Sequence, residues 1–226
     1  MNLPGPSNDR LRIYRDLMEE LKLRVNFVIC LPQDISYPDL FRFELCQVQV
    51  RKVCEIIAIG CLSVHDEFSN ITADDLAIWT APDIFKKLKK VNSNYFPEAV
   101  NIQQTRPSQT TIFELKNSYL SKVELVKVHG RSGNYLHRGS LKRLLGGENW
   151  HPEVDFRDAV AFCHKVKETL SPYHRISVRD DKSVAVLCKM HDPECGNQVS
   201  VDVINMPPAR ATAPSNQGPP ENAHAK

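Results

Sequence analysis

Val53-Cys54-Glu55-Ile56-Ile57-Ala58-Ile59-Gly60-Cys61-Leu62-Ser63-Val64 is apolar nearly all round a helical wheel. A helix without a polar face belongs at the centre of a domain, with neighbours on every side. Upstream, Pro38 suits a helix start and Asp39 favours the first turn. The spacing therefore predicts one long helix from Asp39 to about His65. Its polar residues Glu44, Gln47, Arg51 and Glu55 recur at steps of three and four, which places them on one stripe. The apolar run Ile56 to Val64 is too short to span a bilayer.

The other elements arrange themselves around that helix. Ser7 or Asn8 can cap a helix to about Asn26, with Leu11, Tyr14, Leu17, Met18 and Leu21 on one face. Val25 to Leu31 is apolar and fits either state. Thr72 to Trp79 and Ile84 to Val91 read as short helices, and Pro152 to Leu170 as a clear amphipathic one. Ser121-Lys122-Val123-Glu124 is a capping box that starts another helix. Val100 to Gln104 and Thr111 to Leu115 read as a hairpin. His174 to Val178, Val184 to Met190 and Val199 to Ile204 read as antiparallel strands.

Composition sets wide bounds. The 226 residues are 42% hydrophobic and 25% charged, ordinary for a globular protein. A net charge of +2 offers no global attraction to a polyanion, so any nucleic-acid signal must be local. Seven cysteines form no Cys-x-x-Cys pair, as expected of a reduced, cytoplasmic protein. Met1 to Arg15 carries no apolar signal-peptide core. The glycine motifs of ATP, nicotinamide and α/β-hydrolase sites are missing, so no cofactor is expected.

The densest chemistry lies in Gly130-Arg131-Ser132-Gly133-Asn134-Tyr135-Leu136-His137-Arg138-Gly139. Each glycine inside a helix costs about 1 kcal/mol relative to Ala, so two of them need a reason. Close helix packing is one reason; a site that a partner approaches closely is the other. His transfers protons near neutral pH, and Arg holds phosphate bidentately. Together they suit phosphodiester cleavage by an internal 2′-hydroxyl. In one straight helix the six-residue spacing separates Arg131 and His137 by about 120° and 9 Å. They would line a groove, and two copies across a symmetric interface would compose one site. The plainer reading is a basic helix end whose His137 and Arg138 meet the C-terminal dipole.

Arg131-x5-His137, late in a helical chain and followed by Arg138-Gly139, resembles the Arg-x(4–6)-His signature of the HEPN superfamily. The resemblance covers about Pro38 to Leu170, and the long helix would match the central helix of that bundle. It implies a metal-independent endoribonuclease of toxin–antitoxin or phage-defence type, acting as a homodimer. Arg131 would grip the scissile phosphate and His137 would act as acid and base. Ser132, Asn134, Tyr135, Arg51 and Glu55 would support them, and Lys127, Arg138, Lys142 and Arg143 would contact the RNA backbone. Family members usually carry Asn, Asp or His after the Arg, where this chain has Ser132. The alternative is therefore a non-catalytic HEPN-like module that binds nucleotide, RNA or protein.

Three further clusters have bland counterparts. Arg51 and Glu55 can pair within the helix, or clamp Arg131 or His137. From Lys122 to Leu145 six Lys/Arg stand against Glu124 alone, and Lys86, Lys87, Lys89 and Lys90 add a second run. On one side these would make a phosphate-binding field; on separate sides they are solvated helix faces. Cys188-x-x-His191-x-x-x-Cys195 offers three metal ligands where zinc takes four, so no metal is assigned.

The expected fold is mainly α. It has a HEPN-like helical bundle over residues 1–171 with a hairpin insertion near 100–116, a small C-terminal antiparallel β unit over 172–206 and a disordered tail over 207–226. The expected partners are a second copy, RNA, and an antitoxin or other protein, with no membrane.

Overall fold

A computed structural model describes residues 5–33, 36, 38–65, 80–105, 110–116, 120–136 and 152–206. The helices are α1 (Asn8–Cys30), α2 (Asp39–Ser63), α3 (Ala81–Val91), α4 (Lys122–Leu136) and α5 (Pro152–Leu170). The strands are β1 (Glu98–Thr105), β2 (Thr110–Leu115), β3 (Tyr173–Ser177), β4 (Val184–Asp192) and β5 (Gln198–Asn205). The chain is mainly α, as its periodicity predicts. The short helix expected at Thr72–Trp79 and the tail 207–226 lie outside the described residues.

α2 is the centre. Helices α1, α3, α4 and α5 all pack on it, and Val53, Cys54, Ile57, Ala58 and Cys61 are almost fully buried. That is where an all-apolar helix must sit. α1 crosses it closely at Gly60, where an added Cβ would stand 3.0 Å from the Tyr14 ring and 3.3 Å from the Met18 methyl. α1 continues through the ambiguous segment to Cys30, because Val28 and Leu31 reach the core. Arg10 then closes the far end of α2, donating to the Ser63 and His65 carbonyls at 3.2 and 3.0 Å. A cationic group at exposed helix carbonyls also opposes the negative end of the dipole.

The strands form one antiparallel sheet in the order β2-β1-β3-β4-β5. β1 pairs with β2 from Val100↔Leu115 to Thr105↔Thr110, and with β3 at Glu98↔Arg175 and Ala99↔His174. The hairpin and the C-terminal strands, read apart in the sequence, thus join through β1. α1 packs on β4 and β5, and α5 on β1 and β3. Val184, Val186, Cys188 and Met190 of β4 enter the same core as the helices.

Two buried polar links tie helices to sheet. The Tyr14 hydroxyl donates to His174 Nε2 at 2.6 Å, and His174 Nδ1–H donates to the Leu170 carbonyl at 2.8 Å. His65 Nδ1–H donates to the Cys61 carbonyl at 2.7 Å. Asn92 Nδ2 donates to His65 Nε2 at 3.0 Å and to the Ser177 carbonyl at 2.7 Å. Both nitrogens of each ring are engaged, as buried polar groups require. These two histidines are structural.

Candidate anion-binding site on the motif helix

The capping box starts α4 by half of its pattern. Ser121 Oγ accepts from the Glu124 amide at 3.1 Å. The Glu124 carboxylate does not turn back but accepts from Lys165 Nζ of α5 at 2.6 Å. Thr169 Oγ1 accepts from the Leu120 amide at 3.0 Å and anchors the entry to the helix. Leu125 and Val128 then face inward, so α4 lies against α2 on one side and forms a cleft with α5 on the other.

The α5 side is an open cleft of about 250 Å³ lined by Glu124, Lys127 and Arg131 of α4 and by Asp158 and Lys165 of α5, with the buried Val128 and Phe162 also in its wall. Arg131 Nη1 donates to Asp158 Oδ2 at 2.8 Å, with the two side chains 41% and 47% exposed. Three cations face two carboxylates here. The field is therefore weaker than the linear run of cations from Lys122 suggests, because α5 supplies Asp158, an acid that the run does not show.

The α2 side is a buried seam. Arg51 Nε donates to Glu55 Oε1 at 3.0 Å, and Lys52 Nζ donates to Glu55 Oε2 at 2.8 Å. His129 Nε2 stands 3.6 Å from Glu55 Oε1, beyond hydrogen-bond range. Among the described residues, His129 Nε2 and Ser132 Oγ are buried without a hydrogen-bond partner. Burial pushes the Glu55 carboxyl up, but the hydrogen bonds from Lys52 and Arg51 outweigh it and hold it below the usual carboxylate range. Burial, reinforced by the Arg51 charge, pushes the His129 pKa down and keeps the ring neutral. A Cβ at Gly133 would lie 2.6 Å from Arg51 Nη1, whereas Gly130 faces open space. Only Gly133 answers to a close approach, and what approaches it is Arg51.

The predicted residues therefore divide. Lys127 and Arg131 share the α5 cleft; Arg51 and Glu55 lie on the α2 seam with His129, and Glu55 pairs with Lys52 and Arg51 rather than with Arg131. Ser132 is 1% exposed and faces neither solvent nor cleft. Asn134 is exposed, and the Tyr135 ring packs edge-on against Phe43 at 5.1 Å. His137, Arg138, Lys142 and Arg143 lie outside the described residues. His129, Lys52, Asp158 and Lys165 went unread in the sequence. His129 had a signal, lying four residues before Gly133 on the same helix face. Asp158 and Lys165 had a weaker one, two turns apart on an exposed stripe of α5.

The Cys188-His191-Cys195 spacing does not gather into a site. Strand alternation turns Cys188 into the core and His191 outward, and Cys195 is exposed in the following 3₁₀ turn. Among the described residues no group of three or more His, Cys, Asp or Glu is placed to hold a metal ion. Among them too, no helix is long and apolar enough to cross a membrane. No protein-family model matches the chain, and neither a curated protein nor a solved structure matches it.

Proposed function

We propose that this chain is a HEPN-like cytoplasmic protein that binds an RNA backbone in the α4–α5 cleft and cleaves it without a metal as a homodimer. The observation that supports the reading is the setting of Arg131. Its guanidinium faces solvent between Lys127 and Lys165, held by one exposed ion pair to Asp158. Such a pair contributes about 1 kcal/mol or less. A phosphate offers Arg131 a bidentate, charge-assisted contact and can replace Asp158. His137 then takes the proton of the 2′-hydroxyl as its oxygen attacks phosphorus. The 5′-oxygen leaves with a proton from His137 of a second copy, giving a cyclic phosphate and a free 5′-hydroxyl. Lys127, Arg138, Lys142 and Arg143 hold neighbouring phosphates. A toxin or defence setting adds an antitoxin or other protein partner.

The test is RNA cleavage in EDTA. Arg131→Ala and His137→Ala each abolish cleavage while leaving the melting curve of the protein in place. Cleavage unchanged in both variants overturns the assignment. A second reading, a non-catalytic HEPN-like binding module, is favoured by the burial of Ser132, which removes from the cleft the polar group that follows Arg131. It predicts salt-sensitive RNA binding with no turnover.

A further inference from the structure

Arg51 stands on the opposite side of α4 from the Arg131 cleft, and an ion pair within α2 does not account for its setting. The pair with Glu55 uses only Nε. Among the described residues no hydrogen bond is made by either terminal nitrogen, and the side chain is 29% exposed, so this edge reaches solvent. Nη1 lies over α4 at Gly133, where any side chain would meet it at 2.6 Å. A glycine inside a helix costs about 1 kcal/mol against Ala. An ion pair closed within α2 gives α4 no reason to bear that cost; a guanidinium that must lie across α4 does. Around it, Glu55 is held from a second side by Lys52, and His129 stays neutral. The seam therefore presents two cations against one carboxylate, an excess positive charge at the edge of the motif helix.

We infer that Arg51 is a second phosphate-contacting residue for the same RNA, on the α2 side of the motif helix and across that helix from the Arg131 cleft, with Glu55 as the residue that positions it and Gly133 as the clearance that admits it. The inference rests on the RNA-binding reading above. It adds a contact that the Arg-to-His motif does not contain, brought to the motif helix by a residue about eighty positions earlier in the chain.

The experiment is fluorescence anisotropy of a labelled, non-cleavable 2′-O-methyl RNA oligonucleotide with the full chain, titrated across a salt series. Arg51→Gln is expected to weaken binding by about tenfold, as loss of one charge-assisted contact does. It is also expected to flatten the dependence of log K on log salt by about 0.7, the share of one single-strand phosphate. Arg51→Lys retains that slope. Gly133→Ala, which displaces the guanidinium without removing charge, weakens binding like Arg51→Gln. A purely structural Arg51 would lower the melting temperature and leave the salt slope unchanged. Wild-type affinity and slope in both Arg51→Gln and Gly133→Ala, with Arg131→Ala weakened, overturn the inference and leave the function standing. No RNA binding by the wild-type chain overturns both. If Arg51→Gln does not fold, Gly133→Ala carries the test alone.

Discussion

His174 and His129 are both buried histidines, and their surroundings are opposite in kind. His174 sits where helices meet sheet, with Tyr14 on one ring nitrogen and the Leu170 carbonyl on the other. His129 sits where α4 meets α2, its Nε2 unpartnered and its nearest carboxylate 3.6 Å away. A satisfied buried group locks two elements together. An unsatisfied one costs stability, and this one lies on the same face of α4 as Gly133, over which the Arg51 guanidinium is laid.

The largest effect should come from breaking the satisfied side. Asn92→Leu removes the buried donor that serves both His65 Nε2 and the Ser177 carbonyl. At 1–3 kcal/mol for each, urea denaturation should show a loss of about 4 kcal/mol. A loss below 1 kcal/mol would mean that this junction is not what joins helices to sheet.

Acid should come next. Burial pushes the His174 pKa down to about 4, the hydrogen bond to Leu170 opposing only part of the shift. Below the ordinary value of about 6.5 the unfolded chain takes up a proton that the folded chain refuses. Stability from this group is thus complete above pH 6.5 and is lost as pH falls toward 4, by about 3 kcal/mol. His129 and His191, also shifted down, act in the same direction. Denaturation midpoints measured from pH 7 to 4 check the slope, which should shrink in His174→Gln.

Tyr14→Phe sharpens the contrast at one atom. It removes the donor to His174 Nε2 without removing the ring, and should cost about 2 kcal/mol. On the unsatisfied side the sign reverses. Ser132→Ala deletes a buried hydroxyl that has no partner and places a better helix former in α4, so it should stabilise by about 1 kcal/mol. The smallest effect belongs to Arg131→Ala, whose exposed pair with Asp158 should change stability by less than about 1 kcal/mol. That near-silence is what makes it a clean probe of RNA binding.

Helices read well in the sequence where local pattern was strong. Pro152–Leu170 and the start of α4 after Ser121 fall where periodicity and capping place them. α1 outruns its spacing by four residues, because burial of Val28 and Leu31 decides an otherwise neutral segment. The strands were legible singly, but their common sheet was not. It depends on Glu98 finding Arg175 across 77 positions, a pairing and an ion pair that no local pattern encodes. At the candidate site the i,i+4 pair of Arg51 and Glu55 was legible as a pair. Which helix it faces was not, and the cations after Lys122 gave no sign that α5 would set Asp158 among them.

Among the described residues, sequence by itself determined most of the segments that are helices and strands and that α2 is central, because hydrophobic period and capping act within a few residues. Only the tertiary structure decided that the hairpin and the C-terminal strands share one sheet, and that Arg51 and Arg131 flank one helix from opposite sides. Strand partners and helix faces are chosen by contacts between residues far apart in the chain, and a glycine acquires its meaning from the side chain that another helix lays across it.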